Sequence, residues 1–290
     1  QKGCEKLAEL AKKYSNGSIE IKVYPASQIA SGAKAVEYVQ MNTLDMCLES
    51  TMSLENFVPE IGVLNMPFLF TTRKEVYGVL DGKIGDELKA DAEKKGFKVL
   101  CWMDNGFRDV TNKVRPIAKP SDFSGLKLRT PESKVFIKTF ETLGATPTAM
   151  AMSEVFSALQ LGTVDGQENP SSQNVTRKFY EVNKYYSVTH HIFTAEPLIM
   201  NLDKWKALSK EQQDALQKAA NEAALYEREI NAKLDDENVQ EYGKNGGVVN
   251  KLNEAAIAEF KKAVEPVYAE FKNQHGVMIK KIQEAVKNIK

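Results

Sequence analysis

Between Ser18 and Tyr24 the apolar residues Ile19, Ile21 and Val23 alternate with Glu20, Lys22 and Tyr24. A period of two predicts a strand with one buried face, and Pro25 ends it. Ahead of it, Cys4, Leu7, Ala8, Leu10 and Ala11 fall at helical spacing. A helix is expected from about Ala33 to Met41, a short apolar strand over Leu44 to Leu48, and then a loop carrying Glu49 and Ser50. Helices follow over Arg73 to Leu80 and Ile84 to Lys95, then a buried strand Lys98 to Met103 and a turn at Asn105-Gly106. A turn-rich stretch, Pro116 to Gly125, leads into a strand Leu126 to Thr130 cut off by Pro131. A helix Lys134 to Leu143 closed by Gly144 comes next, then a short strand Thr146 to Thr148. Ser153 is placed to cap a helix Glu154 to Gln160 that Gly162 ends. Strands alternating with helices predict an α/β fold with a largely parallel sheet.

Past Trp205 the pattern changes. Ser209 with Gln212 three residues on is a capping-box signal opening a helix that runs to about Tyr242, ahead of Gly243, Gly246 and Gly247. At 1.5 Å per residue such a helix reaches about 50 Å, enough to brace two lobes, with a bend expected near Asp235-Asp236. From Glu254 onward the chain is helical, and Pro266 forces a kink or break.

Composition narrows the function classes. The 290 residues carry 39 basic and 39 acidic side chains, so the formal charge is zero. That balance argues against nucleic acid or an anionic membrane as partner, because phosphate binding needs a basic excess. The longest apolar stretch, Ile61 to Phe70, holds Asn65 and Pro67 and falls short of the ~20 residues that span a bilayer, so no direct membrane insertion is expected. Cys4, Cys47 and Cys101 are too few and scattered for a disulfide framework or zinc site. Cys47 and Cys101 read as free buried thiols, with a bond between them as the alternative. The sequence starts without Met inside an amphipathic stretch, which suggests a processed or trimmed N-terminus from which any export signal has gone.

Catalytic motifs are absent: there is no G-x-S-x-G, H-E-x-x-H, Walker loop or G-x-G-x-x-G, and His190, His191 and His275 show no metal-ligand spacing. Adjacent His190 and His191 read as structural or surface groups. Only 6 basic residues are Arg and 33 are Lys, so each Arg merits scrutiny. Arginine holds a carboxylate with a geometry that lysine cannot match. Arg129 lies at the C-terminal end of the strand before Pro131, where α/β sheets bind ligands. Arg108, after the Lys98 to Met103 strand, is placed similarly. A surface or inter-lobe salt bridge is the competing reading for both, and Arg73, Arg115, Arg177 and Arg228 have no such placement. In the segment GTVDGQENP, Asn169 offers a donor and an acceptor, though by composition the segment is an ordinary loop.

The order and spacing of GLKLRTP, LGATPTAMAMSEVFSALQ and VDGQENP, with YPASQIASG, PFLF and NGFRDVTN in support, closely resemble the solute-binding proteins of TRAP transporters (tripartite ATP-independent periplasmic transporters, DctP family). The likeness covers essentially the whole chain. It implies a two-lobed α/β fold of the periplasmic-binding-protein kind (type II-like), with crossover strands and one long helix spanning both lobes. Residues 1–104 and 195–235 would form lobe I, and 105–194 and 236–290 lobe II. It further implies a two-pronged salt bridge from Arg129 to a solute carboxylate, with Arg108 assisting and Asn169 completing the clamp. Glu49 would contact polar groups on the rest of the ligand. Met152 stands where many relatives carry an aromatic residue, and Phe193 is a further candidate near a crossover. Family members begin with a strand and a ligand-contacting loop ahead of the first helix, so those contacts are expected to lie outside this sequence.

The resemblance implies an exported, periplasmic and monomeric protein that traps a small organic acid by hinge closure without chemistry. It would hand the acid to the TRAP membrane permease subunits, using no cofactor and no metal. Sugar acids such as a uronate, sialic-acid-like acids, C4-dicarboxylates and keto acids all remain open. Glu49 would disfavour a second carboxylate nearby, which tilts the expectation toward a hydroxylated monocarboxylate. An α/β enzyme acting on a small organic acid with the same Arg clamp is the alternative, and a sensor subunit is a third.

Overall fold

The computed structural model describes residues 1–289. Among the described residues there are seven strands: β1 Met46–Leu48, β2 Phe97–Asn112, β3 Lys127–Thr130, β4 Thr146–Ala149, β5 Gly166–Pro170, β6 Tyr185–Asn201 and β7 Val248–Lys251. The chain divides into two compact units. The first comprises Gln1–Ile61, Tyr77–Asn105 and Ala195–Ala232, and the second Gly62–Val76, Gly106–Thr194 and Lys233–Lys290.

In the first unit β1 lies antiparallel to the end of β6, with Met46 opposite Met200 and Leu48 opposite Leu198. Its core joins Leu7, Leu10 and Ala11 of the first helix to Leu100, Met103, Leu198 and Met200. The helix Lys210–Lys244 lays Ala215, Ala219, Ala220, Ala223 and Ala224 on that core. Small side chains at i, i+4 and i+5 let its backbone approach closely. Its start is a reciprocal cap: Gln212 N donates to Ser209 Oγ at 3.2 Å, and Ser209 N donates to Gln212 Oε1 at 3.0 Å. Ser209→Ala is therefore expected to cost about 1 kcal/mol, read by urea denaturation, and an unchanged midpoint would show the cap to be idle. No break occurs at Asp235-Asp236. Arg228 is buried as a structural strut, donating to Asp81 at 2.6 and 2.9 Å and to the Trp102 carbonyl at 2.7 Å.

Residues 18–24 differ from expectation. Ile19, Ile21 and Val23 are half-buried as their alternation requires, yet the segment joins no ladder. Ile21 and Val23 instead line a groove of about 300 Å³ together with Met46, Leu48 and Leu198. A strand is defined by its neighbour's hydrogen bonds, and among the described residues no neighbour is in place.

In the second unit β3 runs parallel to β4 and β5, and β7 runs parallel to the start of β6. β2 is antiparallel to β5, with Asp109 opposite Asn169. The sheet is thus mixed where a largely parallel one was expected. β2 is 16 residues long and enters this unit directly from the other, so no helical crossover sets its direction. It passes straight through Asn105-Gly106, where Gly106 takes φ 117° and no turn forms. The flanking Met103, Phe107 and Val110 are all buried, and their burial outweighs the local turn preference.

Pro266 does break the C-terminal helix, standing in the first turn of Glu265–Glu270 after Glu254–Ala263 ends. Cys4, Cys47 and Cys101 are all free, so no bond links the last two. Among the described residues no helix is long and apolar enough to cross a membrane.

Candidate functional site

Three of the residues singled out from sequence sit on adjacent strands of the second unit. Arg129 is the last residue but one of β3, Asn169 is on β5 beside it, and Arg108 is on β2 beyond. Arg129 is 3% exposed. Its Nε and Nη2 donate to the Met150 carbonyl at 3.1 and 2.7 Å, while its Nη1 has no partner. Burial lowers its pKa to about 10, the Glu168 charge opposing and Arg108 and Arg177 assisting, so it remains a cation at neutral pH.

Arg108, 1% exposed, is committed within the protein. Nε and Nη2 form a fork on the Glu168 carboxylate at 2.5 and 2.9 Å. Nη2 also reaches the Glu168 carbonyl at 2.8 Å and Asn169 Oδ1 at 3.0 Å. The guanidinium lies over the Phe136 ring, 5.3 Å from its centre. Burial alone would raise the Glu168 carboxyl, but the Arg108 charge, with hydrogen bonds from His191 and Arg108, holds it below the usual range. His191 Nε2 lies 3.2 Å from Glu168 Oε2, and its Nδ1 lies 2.8 Å from Thr189 Oγ1. Because a carboxylate only accepts, Nε2 is the donor in the contact with Glu168. Asn169 also donates through Nδ2 to Gln167 Oε1, and Gln167 in turn donates to Thr111 at 2.7 Å and Asn174 at 2.8 Å. This side-chain network holds the Arg108 guanidinium and the Asn169 amide in place.

The sequence reading missed Glu168. The segment GTVDGQENP read as an ordinary loop by composition, whereas Gly166–Pro170 is the buried strand β5, and the register that sets Glu168 against Arg108 is a tertiary fact. His191 is structural as expected, packed edge-on against Phe140 at 5.4 Å. Phe193 is 4% exposed and packs against Phe107 at 5.1 Å. Met152, in a single helical turn, packs half-buried against the cluster of Val155, Leu159, Tyr186 and Tyr242.

Glu49 belongs to the first unit, just beyond β1. Gly32 N donates to its Oε1 at 2.9 Å and Ser53 Oγ to its Oε2 at 3.4 Å. Burial pushes its pKa up to about 7, against the Gly32 bond and aided by the Glu196 charge. A carboxyl raised in the folded state holds more protons native than unfolded between its ordinary value of 4.5 and about 7. Stability should therefore fall as pH rises across that window and level off above it. Glu49→Gln is expected to flatten this slope in urea melts taken at about pH 5 and about pH 8. An identical slope in both proteins would refute the assignment.

Arg129 is thus a buried cation with one unpartnered nitrogen near the C-terminal end of β3. The chain belongs to the bacterial extracellular solute-binding proteins, family 7 (DctP), whose model matches residues 1–274. It is 35% identical over 257 residues to the 2,3-diketo-L-gulonate-binding periplasmic protein YiaO of Escherichia coli, covering 88% of this chain and 78% of that protein. It is 34% identical over 278 residues to the C4-dicarboxylate-binding periplasmic protein DctP of Rhodobacter capsulatus, covering 95% and 83%. Among solved structures, a TRAP periplasmic solute-binding protein from Polaromonas sp. JS666 bound to D-erythronate superposes with a TM-score of 0.93 at 36% identity, covering 97% of this chain and 92% of that one. These are binding proteins, and the enzyme alternative finds no support among them.

Proposed function

We propose that this chain captures a small hydroxylated monocarboxylate, a sugar acid of the uronate or aldonate kind, with Arg129 as the residue that holds its carboxylate. The observation that carries this reading is the charge balance around the clamp. Arg108 and Glu168 neutralise each other at 2.5 Å, whereas Arg129 faces only a neutral carbonyl and keeps Nη1 free. A buried cation with no hydrogen-bonded counter-ion is costly, and one carboxylate relieves it. A second carboxylate would find no second free arginine on these strands. Relatives that bind D-erythronate and 2,3-diketo-L-gulonate fit the reading, while the C4-dicarboxylate binder of Rhodobacter keeps the two-carboxylate reading as its rival.

In this proposal Asn169 and Arg108 form the clamp's rear wall, and Glu49, Met152 and Phe193 are candidate contacts for the remainder of the solute. The protein acts outside the cytoplasm, in the periplasm, as a monomer. It delivers the acid to the membrane permease subunits of a TRAP transporter.

A thermal-shift panel of protein unfolded and refolded to strip carried-over solute tests the ligand class. At 100 times its dissociation constant a ligand stabilises the native state by about 2.7 kcal/mol. D-Erythronate or a uronate is expected to raise the melting temperature more than succinate at equal concentration. A larger shift with succinate would transfer the assignment to the dicarboxylates.

A further inference from the structure

On the strand next to Arg129 stands Gln167, its register partner in the parallel pairing of β3 with β5. Gln167 and Asn174 are fully buried, and Asn169 is 1% exposed. All three lie in the second unit, on β5 and on the helix Ser171–Thr176 that follows it. Their amides close into a ring. Asn169 Nδ2 donates to Gln167 Oε1, Gln167 Nε2 donates to Asn174 Oδ1 at 2.8 Å, and Asn174 Nδ2 returns to the Asn169 carbonyl at 3.0 Å. Gln167 Nε2 spends its other hydrogen on Thr111 Oγ1 at 2.7 Å.

An amide can be turned over with little change of shape, so each of the three has two settings that exchange its donor for its acceptor. The two ends of the chain remove that freedom. Arg108, pinned by its fork on Glu168, can only donate, and its Nη2 meets Asn169 Oδ1 at 3.0 Å. The nitrogen of Asn169 must therefore face Gln167. At the other end the Asn169 carbonyl only accepts, so Asn174 turns its nitrogen there and its Oδ1 to Gln167. Gln167 satisfies both neighbours in one setting alone. Reversing any member sets acceptor against acceptor or donor against donor in a buried place, which leaves polar groups unpaired. Asn169 Nδ2 also carries a second hydrogen, which meets no acceptor among the described residues. The locked amide thus offers that hydrogen, with its oxygen turned to Arg108.

We propose that Gln167 and Asn174 are positioning residues of the binding site, which hold Asn169 as a fixed hydrogen-bond donor toward an acceptor oxygen of the solute. This inference rests on the reading that Asn169 walls the site in which Arg129 holds a carboxylate. Gln167 and Asn174 act through Asn169 and have no need to touch the solute. Because the donor is set before the solute arrives, none of the binding energy goes into turning the amide.

A double-mutant cycle, read by isothermal titration with D-erythronate and with D-glucuronate, tests this. Gln167→Met keeps the length of the side chain and breaks the ring, and it is expected to weaken binding about tenfold, as for one hydrogen bond to a charged group. In an Asn169→Ala background the same change should have no effect, because the residue it acts through is gone. Asn174→Leu breaks the ring at its other link and should repeat the pattern. A mere packing defect would cost the same in both backgrounds, and that result overturns the inference, as does undiminished affinity in the single variants. Neutron diffraction from crystals of the fully deuterated native protein requires no variant, so it decides the matter even where the variants fail to fold. Deuterium is expected on Asn169 Nδ2 facing Gln167 and on Asn174 Nδ2 facing the Asn169 carbonyl. A reversed amide at Gln167 or Asn174 overturns the lock. Failure of the native protein to bind either acid overturns the sugar-acid proposal and this inference with it, whereas binding with an additive cycle overturns this inference alone.

Discussion

Arg129→Ala should abolish the stabilisation of the protein by its acid ligand, with a loss of affinity of at least a hundredfold. Charge-assisted bonds to a carboxylate in a buried setting are about twice as strong as neutral ones, and no other cation on these strands is free to substitute. Arg108 cannot move across to take the role without abandoning Glu168, which would leave that carboxylate buried and unpaired. Arg129→Lys should recover only part of the loss. Lysine keeps a charge but cannot reach the Met150 carbonyl with two nitrogens while presenting a third to the ligand. Isothermal titration with D-erythronate or a uronate provides the number, and melting of the ligand-free variants provides the folding control. The ligand-free variant loses the two bonds to the Met150 carbonyl, so its melting is read separately from its affinity. Unchanged ligand affinity in Arg129→Ala would remove Arg129 from the site.

The second large effect concerns Glu168. Its carboxylate is fully buried and, among the described residues, is the sole acidic partner of the Arg108 guanidinium at hydrogen-bond distance. Glu168→Ala strands that guanidinium, and breaking one side of a buried pair costs about 3–5 kcal/mol. Glu168→Gln keeps the shape and part of the hydrogen bonding, so it should cost less. The pH dependence follows from the lowered carboxyl. A group depressed in the folded state contributes stability above its unfolded value, here the ordinary 4.5, and loses it as pH falls through the folded value. The gap between native protein and variant in urea melts should therefore be full at neutral pH and narrow only below 4.5. Binding should respond in the opposite sense. With Arg108 no longer neutralised, dicarboxylates should gain on monocarboxylates in Glu168→Gln. A variant as stable as the native protein at neutral pH, with the same ligand ranking, would show that the pair sets neither stability nor charge selectivity.

Local chemistry made several of these features legible before any coordinates. Pro131 has no N–H with which to extend the ladder, so Arg129 was recognisable as a residue near a strand end. Ser209 and Gln212 bracket one helical turn, and the cap they form needs nothing beyond that turn. Other elements were misjudged because their fate depends on neighbours. Residues 18–24 have the alternation of a strand and no strand to pair with. Asn105-Gly106 has the composition of a turn, yet the buried residues on either side hold β2 straight through it. Arg228, passed over for want of a placement, holds the Trp102 carbonyl and Asp81 from more than a hundred residues away.

By itself the sequence determined which residues could carry the chemistry: few arginines, one at a strand end, and no catalytic group of recognised spacing. Only the tertiary structure decided how that charge is allotted. The antiparallel register of β2 and β5 sets Glu168 against Arg108, and the Met150 carbonyl takes two of the three nitrogens of Arg129. A guanidinium's availability depends on which acceptors lie within about 3 Å of it, and such acceptors come from residues twenty to sixty positions away. Spacing along a chain reports helical turns and strand alternation, which are properties of near neighbours. The pairing of distant charges is settled only when the strands that bear them are laid side by side.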